Sequence, residues 1–220
     1  MENNLGEKIH ALRQDYRAAA LDISDVSDNP FTQFENWLTA AIASNCPEPN
    51  AFTLATVGKT GKPSARIVLL KGFDERGFVF YTNYESQKGQ EIIENPNVAM
   101  CFLWHELERQ VRIEGIVERV EQAVSETYFH SRPRKSQLGA LASPQSQVVP
   151  NRAFLEQKMD DLLGKYGEND EMIPYPPHWG GFRIRPTRIE FWQGRRSRLH
   201  DRIVFDAQTD GNWKIERLAP

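Results

Sequence analysis

Cysteine is almost missing from this chain. The two present among 220 residues, Cys46 and Cys101, lie far apart and form no Cys-x-x-Cys pair, so a disulfide framework is not expected. Histidine is sparse as well: the five, at positions 10, 105, 130, 178 and 200, never fall three to five apart, which leaves no compact metal constellation. No apolar run approaches the roughly 20 residues that span a bilayer. The start, Met1-Glu2-Asn3-Asn4, has neither the basic opening nor the apolar stretch of a signal peptide. These absences together suit a cytoplasmic protein that does not enter a membrane. A basic excess is lacking too. The formal net charge of −3 disfavours a general nucleic-acid binder.

Several catalytic signatures are incomplete. Gly58-Lys59-Thr60 invites a phosphate-loop reading, but position 53, where the first glycine belongs, is threonine, and a hairpin turn is the better expectation. Neither Gly-x-Gly-x-x-Gly nor Gly-x-Ser-x-Gly occurs, so a doubly wound dinucleotide site and a serine-hydrolase elbow have no support.

What is present organises into one domain over residues 1–220, with 1–29 as a partly flexible helical segment at the amino end. Ile9, Leu12, Tyr16 and Ala19 recur at helical spacing. Asn29-Pro30 is a helix-start signal, and Phe31, Phe34, Trp37, Leu38, Ala41 and Ile42 are expected to trace the buried face of a second helix that Cys46-Pro47-Glu48-Pro49 ends. From Ala51 the period changes to that of strands, expected at 52–57, 65–73, 78–82, 98–104, 110–120, 182–192, 202–205 and 213–218. Helices are expected at 86–94, 121–131, 134–142 and 151–165. The pattern reads as mainly β with peripheral helices, an α+β chain built on an antiparallel barrel.

Cations beside hydroxyls and aromatics carry the chemistry. Arg66 and Lys71 bracket the apolar run Ile67-Val68-Leu69-Leu70; five apart, they point to opposite faces of an ideal strand, so one site uses both only if the strand twists, bulges or meets an interface. Taken alone, the pair is better read as solubilising the strand ends. After Tyr81-Thr82, Ser86 can cap a new helix, and Lys88 in its first turn opposes the helix dipole unless an anion binds there. A solvated surface lysine is about as good a reading of that segment. Tyr128, Arg132 and Ser136 recur every four residues around Pro133, which turns the chain. A phenol, a guanidinium and a hydroxyl at a turn suit a phosphomonoester, and a polar helix end explains them equally well. If extended, Arg198-Leu199-His200-Asp201-Arg202 projects three potential cations to one face.

Taken in order, Arg66 to Lys71, Phe80-Tyr-Thr-Asn83 with Ser86-x-Lys88, Glu108-Arg-Gln110, Tyr128 to Arg134, Gln145-Ser146, Trp179-Gly-Gly-Phe182, and Ile189 to Gly194 with Arg198 to Arg202 closely resemble the pyridoxine/pyridoxamine 5′-phosphate oxidase family. The resemblance runs from about Arg13 to Pro220. It implies an FMN-binding split β-barrel and a homodimer in which groups of both chains meet one cofactor. By resemblance, Arg66, Ile67, Val68, Leu69, Leu70, Lys71, Tyr81, Thr82, Gln87, Lys88, Gln110, Gln145, Ser146, Trp192 and Arg202 contact FMN. Lys71, Tyr128, Arg132 and Ser136 would hold the substrate phosphate. Arg198 and His200, with Leu199 between them, would lie against the pyridine as the catalytic pair, and Arg13 and Tyr16 would close over the site. Gln87 stands where the family usually has arginine, which removes one cation near the flavin phosphate.

The implied reaction converts pyridoxamine or pyridoxine 5′-phosphate to pyridoxal 5′-phosphate, with dioxygen as the final acceptor and hydrogen peroxide as product. Two rival readings remain: a split-barrel flavin enzyme acting on another aromatic substrate, and a module that binds FMN or pyridoxal phosphate without catalysis.

Overall fold

A computed structural model describes residues 5–12, 15–167 and 172–220. Arg13, half of the expected closing element, therefore lies outside the described residues. In chain order the elements are α1 (Leu5–Ala11), α2 (Pro30–Ala43), β1 (Ala51–Val57), β2 (Pro63–Leu69), β3 (Gly72–Asp74), β4 (Gly77–Asn83), α3 (Gln87–Glu94), β5 (Asn97–Trp104), β6 (Arg109–Arg119), α4 (Gln122–Ser131), α5 (Arg134–Ala142), α6 (Arg152–Tyr166), β7 (Trp179–Gln193), β8 (Asp201–Ala207) and β9 (Trp213–Leu218). The strands form one sheet in the order β2-β1-β5-β6-β7-β4-β3, with β8 on β7 and β9 on β8. The pairs β1–β2, β1–β5, β3–β4, β4–β7, β7–β8 and β8–β9 are all antiparallel. The mainly β class with added helices is thus the one the sequence pattern predicts. Among the described residues no helix is long and apolar enough to cross a membrane.

The chain divides into two compact units. One comprises the chain up to Pro49, Phe102–Arg112 and Arg188–Pro220; the other comprises Asn50–Cys101 and Ile113–Thr187. In the first, α2 begins where Asn29 accepts hydrogen bonds from the amides of Phe31 and Thr32 and Pro30 takes the first helical position. Its inner face buries Phe31, Phe34, Trp37 and Ala41, whereas Ile42, expected on that face, is exposed in the last turn. Phe34 packs on Phe102 at 5.2 Å, and Trp37 meets Phe191 edge-on at 5.2 Å. In the second unit β1 alternates between buried and half-buried positions, and Phe52, Phe80 and Phe182 fill the interior.

Three local expectations fail for identifiable reasons. The amino-terminal helix ends at Ala11 and does not continue to Tyr16 and Ala19. The amides of Arg17 and Ala18 instead donate to the Glu108 carboxylate at 2.6 and 2.8 Å, bonds that a helix would have made internally. The run 65–73 is two strands, not one. Leu70 donates its amide to Asn50, next to β1, and the following Lys71 donates to Val79 on β4, so the chain changes partner between these residues. Finally, Arg198 to His200 is not extended. Residues 196–198 form a tight turn with φ of 58° at Ser197 and 61° at Arg198, and extended pairing resumes at Asp201. Arg198, His200 and Arg202 consequently do not share one strand face.

Candidate active site

A cavity of about 480 Å³ opens in the second unit, lined by Ile67, Val68, Leu69, Lys71, Tyr81, Thr82, Asn83, Lys88, Tyr128, Arg132, Ser136, Gly139, Ala140, Ser143, Gln145 and Trp179. The break after β2 is what delivers Lys71 to it. Arg66, four residues before the break, is not part of the lining. Its guanidinium faces Thr56, Ser64 and Glu91, with Nη2 3.4 Å from the Glu91 carboxylate. Glu91 also accepts from the hydroxyls of Thr56 and Ser64 at 2.5 and 2.6 Å and from the Gln87 amide at 2.9 Å. These donors, together with Arg66, overcome the cost of burial and hold its pKa down at about 2. Gln87 itself is exposed.

Lys88 is buried rather than solvated. Ser86 caps α3 by accepting from the Gly89 amide. The helix start lies so close to the preceding turn that a β-carbon at Gly89 would sit 2.2 Å from the Tyr84 carbonyl oxygen. The ammonium lies 3.2 Å from each of Thr82 Oγ1, Ser86 Oγ and Gln145 Oε1. All three are neutral oxygens. Burial, reinforced by the charge of Arg66 and opposed by Glu91, lowers the Lys88 pKa to about 8. A buried ammonium with no carboxylate contact among the described residues, at a helix start, fits a bound phosphate group.

A second cation borders the same cavity. α4 stops at Ser131, and Arg132 and Pro133 are extended before α5 begins, the turn that Pro133 predicts. Arg132 Nη1 is buried and has no hydrogen-bond partner among the described residues, an arrangement that native proteins seldom leave unanswered. Tyr128 and Ser136 flank it in the cavity wall. Burial raises the Tyr128 pKa against the opposing pull of Arg132, so the phenol keeps its proton and can donate.

The remaining expected residues lie in the first unit. Trp192 pairs with Arg202 across β7 and β8. The Arg202 guanidinium is engaged by the buried Glu190, at 2.8 and 2.9 Å, and by the Ala219 carbonyl. His200 rests 4.7 Å from the Trp192 ring, and Tyr16 meets both rings edge-on. Gly194 leaves room for this contact: a β-carbon there would lie 2.7 Å from the Tyr16 ring. His200 Nδ1 accepts from the Arg195 amide at 3.1 Å, which leaves Nε2 as the donor of the neutral ring. Burial and the Arg198 charge lower its pKa, against a smaller opposing effect of Asp201. Arg198 and Leu199 are exposed, Gln110 is half-buried on β6, and Ser146 is exposed with φ of 71°.

Several participants carried no assigned role in the sequence. Trp179, Asn83, Gly139, Ala140 and Ser143 line the cavity, and Glu91 and Glu190 are the carboxylates that orient Arg66 and Arg202. Glu91 had a signal, since it lies four residues from Gln87 and three from Lys88 on one helix face. Glu190, by contrast, meets Arg202 only through strand pairing.

Residues 38–166 match the family model described as pyridoxamine 5′-phosphate oxidase, and residues 179–220 match that of the pyridoxine 5′-phosphate oxidase C-terminal dimerisation region. A pyridoxine/pyridoxamine 5′-phosphate oxidase of Burkholderia thailandensis is 56% identical over 211 residues, covering 95% of this chain and 97% of that protein. One from Nostoc punctiforme is 57% identical over 209 residues, with the same coverage. Among solved structures, PhzG from Burkholderia lata, in complex with tetrahydrophenazine-1-carboxylic acid, superposes with a TM-score of 0.86 at 28% identity, covering 94% of this chain and 100% of that one. A pyridoxamine 5′-phosphate oxidase-related, FMN-binding protein of Nostoc punctiforme shares the fold, with a TM-score of 0.68 at 16% identity over 85% of this chain and 97% of its own. The split β-barrel expected from the sequence agrees with these likenesses.

Proposed function

The chain belongs to the pyridoxamine 5′-phosphate oxidase family of flavin-dependent oxidoreductases, and from that membership we propose that it oxidises pyridoxamine 5′-phosphate and pyridoxine 5′-phosphate to pyridoxal 5′-phosphate. The observation that carries this reading is the buried, unpartnered Arg132 Nη1 in a cavity wall that also holds Lys71, Tyr128 and Ser136. Two cations and two hydroxyls around one space suit the dianion of a phosphate monoester far better than an uncharged aromatic substrate.

In this reading Lys88, Thr82 and Gln145 take the cofactor phosphate, and the cofactor is FMN. When bound, FMN would supply the acceptor for the hydride equivalent leaving the substrate's 4′ carbon and would pass the electrons to dioxygen, which gives hydrogen peroxide; with pyridoxamine 5′-phosphate, water then hydrolyses the imine left behind to the aldehyde and ammonia. The protein contributes position and electrostatics. Lys71 and Arg132 neutralise the substrate phosphate, and Tyr128 and Ser136 donate to its remaining oxygens. His200 offers an Nε2–H donor to a polar group of the pyridine, and Arg198 offers a flat guanidinium to its face. Tyr16, held against Trp192 and His200, would shield this region from water together with Arg13. The protein works as a homodimer in which groups of both chains meet one cofactor, which the match of residues 179–220 to a dimerisation region supports.

The likeness to PhzG favours one alternative, a flavin oxidase for a larger aromatic acid without phosphate. One experiment separates the two. The yellow protein is mixed anaerobically with pyridoxamine 5′-phosphate or with unphosphorylated pyridoxamine, and bleaching of the visible flavin absorption is followed; peroxide is then measured in air. The proposal requires fast bleaching with the phosphorylated compound and at least about a hundredfold lower kcat/KM without the phosphate, the scale of losing about two charge-assisted contacts. Equal rates with both compounds, or no bleaching with either, would overturn it.

A further inference from the structure

No hydrogen bond of Nη1 among the described residues fixes the direction of the Arg132 guanidinium. It sits on an extended two-residue link between helices, its Nη1 has no partner, and burial works against its charge. Trp179 supplies what is missing. The guanidinium carbon lies 4.6 Å from the centre of the Trp179 ring, within the range of a cation–π contact. That ring belongs to a cluster of near-parallel rings: it is within 12° of parallel to Tyr81 at 5.4 Å and within 7° of Tyr128 at 6.2 Å, and Tyr81 and Tyr128 stack at 3.9 Å.

The ring itself has little freedom. Trp179 pairs with Asn83 at the end of β4, and its carbonyl accepts from the Tyr175 hydroxyl at 2.5 Å. The next residue is fixed as closely, since a β-carbon at Gly180 would lie 2.1 Å from the Tyr84 hydroxyl. An aromatic face thus lies under the Arg132 guanidinium at the border of the cavity, nearer than the other ring beside it, Phe129, whose centre is 5.9 Å away.

We propose that Trp179 is a positioning residue for phosphate recognition: its indole face sets the plane of Arg132 and aims the unpartnered Nη1 at the substrate phosphate. The proposal rests on the reading of Lys71, Tyr128, Arg132 and Ser136 as the phosphate set. The indole contributes by fixing a direction, so it acts on ground-state and transition-state binding alike, and its removal belongs in KM more than in kcat.

The test is a double-mutant cycle on the FMN-loaded protein with Trp179→Leu, Arg132→Ala and the pair, reading KM and kcat for pyridoxamine 5′-phosphate and calorimetric affinity for pyridoxal 5′-phosphate. Trp179→Leu should raise KM and the dissociation constant by about five- to tenfold, the scale of a partly desolvated cation–π contact, with kcat changed by less than KM. The effect should vanish in the Arg132→Ala background, and Trp179→Phe, which keeps a flat aromatic face, should recover most of it. Should Trp179→Leu not fold, Trp179→Phe carries the same cycle with an expected rise of about two- to threefold. An equal effect of the Trp179 change with and without Arg132 would overturn the proposal and leave the phosphate reading intact. If Arg132→Ala leaves affinity for the phosphorylated compound unchanged, both fall.

Discussion

Replacing Lys88 by methionine should have two opposite effects, one on the cofactor-free protein and one on cofactor binding. The Lys88 ammonium is buried among neutral oxygens, and its pKa falls from 10.5 to about 8. A gap of about 2.5 pH units, at about 1.4 kcal/mol each, means that the folded apoprotein carries a penalty of ~3.5 kcal/mol at pH 7. The sign follows from proton counts. Below about pH 8 both the folded and unfolded chains hold the proton and the penalty is complete. Between about 8 and 10.5 the unfolded chain binds more protons than the folded one, so stability rises with pH across that window. Methionine keeps most of the aliphatic stem and removes the charge. The oxygens it abandons retain other bonds, since Ser86 donates to the Asn83 carbonyl and Thr82 donates to Gln145. Lys88→Met should therefore stabilise the apoprotein at pH 7 by about 1–2 kcal/mol net of lost hydrogen bonds, and the difference from the parent should shrink towards pH 10. FMN binding should weaken by about 1.5–3 kcal/mol, the worth of a charge-assisted hydrogen bond. Riboflavin, which lacks the phosphate, should bind both proteins alike. Urea titrations of the two apoproteins at pH 7 and 9.5, with flavin fluorescence quenching for both ligands, measure all of this. Equal loss of FMN and riboflavin affinity, or unchanged FMN affinity, would refute the phosphate assignment. A less stable apoprotein at pH 7 would refute the charge argument.

Arg198→Ala and His200→Ala should each lower kcat/KM by at least about tenfold, equivalent to ~1.4 kcal/mol, with flavin content unchanged on the same samples. Because the Arg198 charge contributes to the lowered pKa of His200, the acidic limb of the kcat/KM profile should move to higher pH in Arg198→Ala; an unmoved limb would remove His200 from the site. Glu108→Ala frees the amides of Arg17 and Ala18, and their hydrogen exchange should accelerate by at least about tenfold, the loss of about one charge-assisted bond. Unchanged exchange would mean that other contacts hold the Tyr16 segment. Gel filtration with light scattering should report a dimer, and added FMN should raise its melting temperature. A fully active, FMN-saturated monomer would exclude a site shared between chains.

Much of this was legible in the residues before any coordinates. Asn29-Pro30 announces α2 because the cap and the fixed proline φ act within three residues, and Ser86 announces α3 in the same way. Pro133 stops α4 through a clash with its immediate neighbour, which separates Tyr128 from Ser136 by a turn. The type and order of the phosphate-binding candidates were readable too, because lysine, tyrosine, arginine and serine declare their chemistry wherever they stand. What local pattern could not convey was which groups satisfy one another. The segment containing Tyr16 has helical spacing, yet its amides are taken by a carboxylate 90 and 91 positions away. Arg66 reads as a free cation on a strand end, but Glu91 on α3 claims it.

The sequence by itself determined the periods, caps and turns, since these depend on forces acting over a few residues: apolar alternation, an oxygen within reach of a free amide, a ring that fixes φ. Tertiary structure alone decided that the chain changes partners between Leu70 and Lys71, that Arg198 enters a turn with positive φ, and that Arg132 comes to rest on Trp179. The change of partners rests on hydrogen bonds to residues 20 and 8 positions off, and the place of Arg132 on a ring contact 47 positions off, so local pattern alone does not choose among these alternatives.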